Sequence, residues 1–228
     1  MPNTIERSEL NKQIAQIRRN IVLSMNGEVS IQMRRNGIVY ERNYGVDIPR
    51  LKQIAAKYSP NHELAQALWQ LKIRESMILA SLLEPIEEFT MEDACNWLKD
   101  FSHTEIIEQV SQNLLSKLTF AESLCLDWAN SKDTKAQTTA FFVAARIYNK
   151  LTTTTIKILI DRAVELSDTE SHTLSRSIAV CLGRFCRIDN EILTYVETAL
   201  KNIKKTELSK SIEEEVRQEI TFLRNVNF

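Results

Sequence analysis

Hydrophobic residues recur three and four positions apart from about Pro49 onward, in segments of helical length. This spacing places them on one face of an α-helix. Patterns typical of strands are almost absent, and only four Gly and four Pro interrupt the chain. The pattern predicts helices near residues 4–25, 49–58, 61–71, 74–83, 90–100, 104–117, 120–130, 134–149, 154–166, 171–186, 189–203 and 209–224.

Two segments depart from this periodicity. The first, Val29 to Val46, contains Gly37 and Gly45, and this composition predicts loops or short turns. The second, Thr152 to Thr155, is interpreted as a helix start. Threonine side chains there can accept hydrogen bonds from free backbone N–H groups, whereas four β-branched residues inside a helix would be costly.

The short polar breaks between the predicted helices determine the expected architecture. Helices of this length with such breaks pack as antiparallel neighbours, and a long series of pairs makes an α-solenoid or an irregular bundle. We expect an all-α fold and favour the α-solenoid. No Pro/Gly/Ser-rich linker divides the chain, which predicts one domain, 1–228. Residues 1–40 would form an N-terminal helix and loops, and residues 41–228 the stacked pairs.

Composition is that of a water-soluble globular protein. The hydrophobic fraction is 43%, the charged fraction is 26%, and no apolar run could span a bilayer. The polar segment from Met1 to Leu10 does not resemble a signal peptide, so a cytoplasmic location without a membrane partner is expected. A net charge of −1 argues against an overall basic nucleic-acid binder but leaves room for a local basic face.

Cysteine, histidine and tryptophan positions favour structural roles. The cysteines lie far apart among apolar residues, without a C-x-x-C pair, which predicts buried free thiols. The histidines are isolated, so no metal site, catalytic triad or cofactor is expected. Each tryptophan has apolar companions at helical spacing and is expected in the core. These residues are Cys95, Cys125, Cys181 and Cys186; His62, His103 and His172; and Trp69, Trp97 and Trp128.

Several consecutive stretches are similar to one known family. They begin with Tyr44-Gly45-Val46-Asp47-Ile48-Pro49, in which Asp47 suits a helix cap and Pro49 a first turn. Glu63-Leu64-Ala65, Leu68-Trp69, Arg74-Glu75 with Ile78-Leu79-Ala80, Trp97-Leu98-Lys99-Asp100 and Glu108-Gln109-Val110 follow. Between about Tyr40 and Tyr148 the chain resembles the HEAT-like repeat DNA alkylation repair (alkylpurine DNA glycosylase) family. The resemblance implies an α-solenoid or right-handed superhelix of HEAT-like antiparallel helical pairs. The chain resembles a divergent member, because most catalytic residues of that family are missing.

The resemblance implies a specific chemistry for the active members. They excise alkylated purines with an aspartate and tryptophans that face a concave groove, and with an arginine near the phosphate. A carboxylate can stabilise the oxocarbenium charge that develops on deoxyribose, and aromatic walls support the same cation. Matched position by position, the tryptophan and aspartate fall on Thr104 and Glu108. The arginine falls on Thr139, or on Thr138, and the second tryptophan on Val180.

Periodicity alone adds two cationic stripes near these positions. On the helix near 134–149, the face opposite the apolar residues would carry Lys135, Thr139, Arg146 and Lys150. On the helix near 171–186, the opposite face would carry Arg176, Val180, Arg184 and Arg187. Lysine and arginine in such stripes bind the nucleic-acid backbone without reading sequence. A solvated helix face would have the same composition.

Three hypotheses remain at the level of sequence. The first is a monomeric protein that binds double-stranded DNA, intact or damaged, and has lost or altered its base-excision chemistry. The second is an active glycosylase for alkylated purines in which Glu108 is the catalytic carboxylate. The third is a HEAT-like scaffold whose surface binds a protein or peptide partner.

Overall fold

The computed structural model describes the backbone of residues 4–226 and the side chains of residues 7–226. The first three residues of the polar N-terminal segment lie outside the described range. Within that range the secondary structure is helical, and no strand occurs beyond an isolated bridge between Arg42 and Ile73. The α-helices are α1 Thr4–Leu23, α2 Gly27–Arg35, α3 Ile48–Ala55, α4 His62–Gln70, α5 Arg74–Leu83, α6 Met91–Leu98, α7 Thr104–Asn113, α8 Ala121–Ala129, α9 Thr134–Arg146, α10 Thr153–Glu165, α11 His172–Phe185, α12 Asn190–Leu200 and α13 Glu207–Asn225. A 3-10 helix occupies Leu115–Lys117.

The helices form two compact units, Met1–Leu114 and Leu115–Phe228. In the first unit, α5 packs between α3 and α7, and α4 packs against both α5 and α1. In the second unit, α11 packs between α9 and α13, whereas α10 packs against α8 and α12. Each unit therefore has two layers of helices, and the predicted all-α class is confirmed. The prediction of one continuous domain stays a prediction.

The core of the first unit is built around two parallel tryptophans. The rings of Trp69 and Trp97 stack at 3.9 Å between centroids, and both side chains are buried. Phe101 meets the edge of Trp69, and Phe89 meets Trp97. The indole nitrogen of Trp69 donates to Asp100 Oδ2 over 2.8 Å. Because both side chains are buried, the interpretation of these tryptophans as core residues is confirmed. Burial of one such aromatic side chain contributes about 1.5–3 kcal/mol to stability.

Local sequence signals explain the helix starts. The Asp47 carboxylate accepts a hydrogen bond from the backbone of Arg50 at 2.7 Å, and Pro49 lies in the first turn of α3. Thr152 caps α10 by accepting from the backbone of Thr155, as predicted. The prediction of loops across Val29 to Val46 was wrong at its start, because α2 extends through Arg35. Asn26 caps α2. No side chain of α2 is buried, so the apolar periodicity that identifies the other helices is missing there.

Three of the four cysteines are buried free thiols, as predicted. Burial raises the pKa of Cys125, Cys181 and Cys186, which keeps each of them in the thiol form. The prediction was wrong for Cys95, which is exposed on α6. Its neighbours Ala94 and Trp97 occupy the buried face of that helix, and Cys95 points away from them.

A buried carboxylate joins α5 to α4 in the first unit. Glu84 Oε1 lies 2.6 Å from Nδ1 of His62, and Glu84 Oε2 accepts a hydrogen bond from Gln66 at 3.2 Å. Burial raises the pKa of Glu84 to about 7, although the hydrogen bonds and charge of His62 favour the ionised form. For His62, burial opposes the charged form, but the hydrogen bond and charge of Glu84 outweigh it and raise the pKa.

This pair gives the fold a defined pH dependence. The folded state binds the Glu84 proton more tightly than the unfolded chain does. Protonation of Glu84 therefore stabilises the fold, and this stabilisation is complete below pH 4.5. That effect is lost as the pH rises to about 7. Between pH 4.5 and pH 7 the free energy of unfolding should therefore decrease. We expect this decrease to be smaller by about 2 kcal/mol in Glu84→Gln than in the wild type. Urea denaturation of both proteins at a series of pH values measures it, and parallel curves would contradict the assignment.

Candidate functional site

The exposed face of α11 carries the most regular cationic row of the second unit. Leu174, Ile178, Cys181, Leu182 and Phe185 are buried, so the opposite face of the helix is open to solvent. Four residues of that face are exposed, namely Arg176, Val180, Arg184 and Arg187. The exposed fraction of Val180 is 36%. The Ser171 hydroxyl caps the helix by accepting from the backbone of Leu174. We call these four residues the α11 face.

Two glutamates of α13 lie beside the α11 face. A shallow depression is lined by Ala179, Val180, Gly183, Arg184, Arg187, Glu215 and Glu219. Arg187 Nε donates to Glu219 Oε1 over 2.6 Å, and this hydrogen bond raises the pKa of Arg187. The arginine row is therefore partly neutralised at its C-terminal end. Sequence reasoning missed this, because the pairing depends on how α13 packs on α11.

The predicted row on α9 does not form. Thr139 is fully buried, and its hydroxyl donates to the backbone oxygen of Lys135 at 2.7 Å. Thr138, the alternative match, is buried as well. The prediction of an exposed Thr139 was wrong because α9 is covered by both α8 and α11, so residues from Ala136 to Ala145 are buried on every side.

The remaining cations of the α9 region are dispersed. Lys135 is exposed in the first turn of the helix. Arg146 is half-buried at its end, where Nη1 donates to the backbone oxygen of Phe142 and the guanidinium lies over the Phe142 ring. Lys150 follows the helix in an exposed turn. These three side chains therefore do not line up as one stripe along α9.

The positions matched to the family's tryptophan and aspartate lie on α7, in the first unit. Thr104 is the first residue of that helix, and Glu108 lies one turn further on the same face. Both side chains are half-buried, and both interact with other groups of the protein. The tertiary structure thus leaves a carboxylate at this point of α7 but places no tryptophan on the preceding turn.

A buried ion network holds the start of α7. The Arg74 guanidinium, only 3% exposed, binds both carboxylate oxygens of Glu105, with Nε–Oε2 at 2.8 Å and Nη2–Oε1 at 2.5 Å. Its Nη1 also donates to Glu75 Oε1 at 2.9 Å and to the backbone oxygen of Val46 at 2.8 Å. The Tyr40 hydroxyl donates to Glu105 Oε2 at 2.9 Å. Arg74 therefore joins the first turns of α5 and α7.

The same network fixes the backbone before α3. Glu75 accepts hydrogen bonds from the backbone N–H groups of Tyr44 and Val46 at 3.1 and 3.3 Å. Burial alone would raise the pKa of Glu105, but the hydrogen bonds and charge of Arg74, together with the Tyr40 hydroxyl, lower it. Glu105 is thus held as an anion beside the Arg74 cation. The sequence showed Arg74-Glu75 only as part of a resemblance and gave no sign of Glu105 as the third member.

The described part of the chain contains no cluster of three histidine, cysteine or acidic side chains that could hold a metal ion. No helix within it has the length and apolar content that a membrane span requires.

Comparisons with known proteins agree on the architecture. The sequence model of the family described as "DNA alkylation repair enzyme" matches residues 20–214. One solved structure, described as "a new family of proteins related to the HEAT-like repeat DNA glycosylases with affinity for branched DNA structures", is 15% identical. It superposes with a TM-score of 0.77 over 90% of this chain and 94% of its own. This likeness establishes the HEAT-like fold.

Two further comparisons add less. A designed armadillo repeat protein in complex with the peptide (KR)4 is 14% identical and covers 96% of this chain and 95% of its own, with a TM-score of 0.46. A search among curated proteins found no match.

The ion network predicts a large effect of one substitution. Arg74→Met would leave the buried Glu75 and the half-buried Glu105 without their cation, and we expect the free energy of unfolding to fall by about 3–5 kcal/mol. Arg42→Met, which changes an exposed arginine in the same region, is the matched control and is expected to change it by less than about 0.5 kcal/mol. Chemical denaturation of both variants measures the difference. Equal effects would show that the network does not stabilise the fold.

Proposed function

The chain belongs to the DNA alkylation repair enzyme family, and we propose that it binds double-stranded DNA through the α11 face, with base excision lost or altered. The observation that carries this proposal is the row of exposed arginines on that face, at the position where the resemblance places a groove residue, Val180. Guanidinium groups bind phosphates in bidentate geometry and remain charged at every physiological pH.

The dimensions of the row suit a phosphate backbone. From Arg176 to Arg187 the helix rises about 16 Å, which corresponds to about five phosphates along one strand. Glu219 opposes this interaction, because it neutralises Arg187 and would lie close to a bound phosphate. The affinity of the α11 face for DNA should therefore be moderate and strongly dependent on salt.

The kind of DNA is suggested by the structurally similar family. That family is described as having affinity for branched DNA structures. We propose that branched or damaged duplexes are bound more tightly than intact linear DNA. A duplex without exposed bases offers mainly its phosphates, whereas a branch point or lesion offers phosphates and unstacked bases together.

The residues at the matched positions support a change of chemistry. Thr104 and Val180 cannot form the aromatic walls that stabilise a cationic sugar, and Thr139 is buried rather than available to a phosphate. Glu108 is the one carboxylate that corresponds to the family's aspartate. If excision persists, we propose that Glu108 stabilises the oxocarbenium charge on deoxyribose and positions water for attack at the anomeric carbon.

Charge changes on α11 and on α13 are expected to alter DNA affinity in opposite directions, and together they test the interface. We expect the double variant Arg176→Glu/Arg184→Glu to weaken binding of a fluorescent duplex about tenfold or more and to reduce its salt slope by about two. Glu219→Gln should strengthen binding, because it frees Arg187 and removes a negative charge. Lys205→Glu, at an exposed position between α12 and α13 of the same unit, is the control. Fluorescence anisotropy at several salt concentrations measures all four proteins.

The outcomes separate this interface from other surfaces. If the arginine variant binds as the wild type does, the α11 face is not the interface. An equal loss for Lys205→Glu would indicate a general effect of net charge instead. Absence of DNA binding by the wild type at low salt would favour the scaffold hypothesis, in which a protein or peptide occupies the surface.

A separate assay tests Glu108. We expect the wild type to release little or no 3-methyl or 7-methyl purine from alkylated DNA, because the aromatic walls and phosphate clamp are missing. Any release should fall at least about a hundredfold in Glu108→Gln. Glu63→Gln, at an exposed position on α4, is the control. Release that continues unchanged in Glu108→Gln would eliminate this residue as the catalytic group.

A further inference from the structure

The turn between α1 and α2 exposes apolar side chains that the rest of the fold does not use. Leu23 ends α1 and is 73% exposed, and Met25 follows it in the turn at 63%. They are the most exposed large apolar side chains in the part of the chain that the structure describes. Apolar side chains that the rest of the fold leaves uncovered are open to contact with a partner.

Four arginines lie on the two helices that this turn connects. Arg18 and Arg19 lie one turn earlier on α1, and Arg34 and Arg35 end α2. All four are exposed, and none forms an ion pair or side-chain hydrogen bond with the residues that the structure describes. We call Leu23, Met25 and the four arginines the α1–α2 tip. Its cationic groups are therefore available to an anionic partner, unlike Arg187 on the α11 face.

Ile17 and Ile21 anchor α1 in the core, whereas polar contacts hold α2 and the turn before it in place. The backbone of Asn26 donates to Tyr44 O over 2.8 Å, and the Ser30 hydroxyl donates to Asn43 O over 3.0 Å. Gly45 has a φ of 69°, and a Cβ at this position would lie 2.1 Å from the backbone oxygen of Asn26. Glu75 in turn holds the backbone of Tyr44. The tip is thus fixed to the buried ion network while its apolar side chains remain in solvent.

We propose that the α1–α2 tip is a second DNA contact, in which Leu23 and Met25 pack against unstacked bases at a branch point or lesion. Leucine and methionine are among the side chains that act as wedges between base steps. Arginines on both helices would bind the phosphates on either side. This inference rests on the proposed DNA-binding function and assigns to the tip the preference for interrupted duplexes, leaving general duplex affinity to the α11 face.

The charge of the segment favours DNA as the occupant. From Ile14 to Leu51 every basic residue is an arginine, and five arginines stand against two glutamates between Ala15 and Arg42. A chain with a net charge of −1 therefore carries a local positive excess at this end. Bidentate guanidinium groups match phosphate geometry, and the two apolar side chains match base faces.

The experiment compares two DNA probes with one double variant of the full chain. Leu23→Ser/Met25→Ser is titrated against a fluorescent four-way junction and a linear duplex of the same arm sequence. We expect the variant to lose about tenfold in junction affinity while its duplex affinity stays within about twofold. A 2-aminopurine base at the branch point reports unstacking, and its fluorescence increase on binding should disappear in the variant. Ile158→Ser and Phe222→Ser, at exposed apolar positions elsewhere, are matched controls.

Each outcome has a defined meaning. Unchanged junction preference and unchanged 2-aminopurine fluorescence in the variant would overturn the proposal for the tip while leaving the α11 interface intact. A wild type that binds neither probe would overturn the DNA-binding function itself. Wild-type binding to vesicles of phosphatidylcholine and phosphatidylglycerol that is lost in the variant, with junction binding retained, would assign the tip to a membrane surface and overturn the DNA assignment.

Discussion

The guanidinium group of Arg74 joins parts of the first unit that are distant in sequence. It binds Glu75 on its own helix, Glu105 at the start of α7 and the backbone of Val46 before α3. A buried and a half-buried carboxylate around one arginine are stable only when nearly every donor and acceptor is satisfied, and the Tyr40 hydroxyl and the backbone N–H groups complete the set. The position of Glu108, one turn into α7, and the anchoring of α2 both depend on this cluster.

Electrostatics differ between the two cationic surfaces. On the α11 face, Arg187 is paired with Glu219, so an anion bound there would compete with a carboxylate already in place. At the α1–α2 tip, the arginines have no such partners among the described residues, and the exposed Leu23 and Met25 lie between them in sequence. A surface with internal pairing suits weak and sequence-independent association, whereas unpaired arginines beside exposed leucine and methionine suit recognition of a particular DNA structure.

The architecture of the family is retained, whereas the residues that the resemblance implies for its chemistry are mostly replaced. Stacked Trp69 and Trp97 belong to the core, so they stabilise the fold and are unavailable to a base. At the positions where the resemblance implies aromatic and cationic groups, the side chains are two threonines and a valine. A HEAT-like fold tolerates this, because its stability comes from helix packing within each unit and not from the surface residues that perform catalysis.

The sequence by itself determined the helical class, most helix starts, the buried tryptophans and the family, because these depend on local periodicity, capping residues and short motifs. It also predicted the exposed arginines of α11, since the opposite face of that helix is clearly apolar. It failed for α2, which buries nothing, and for Thr139, because α9 is covered on more than one side. Only the tertiary structure decided that Glu105 joins Arg74 and that Glu219 pairs with Arg187, because such contacts form between helices about thirty residues apart.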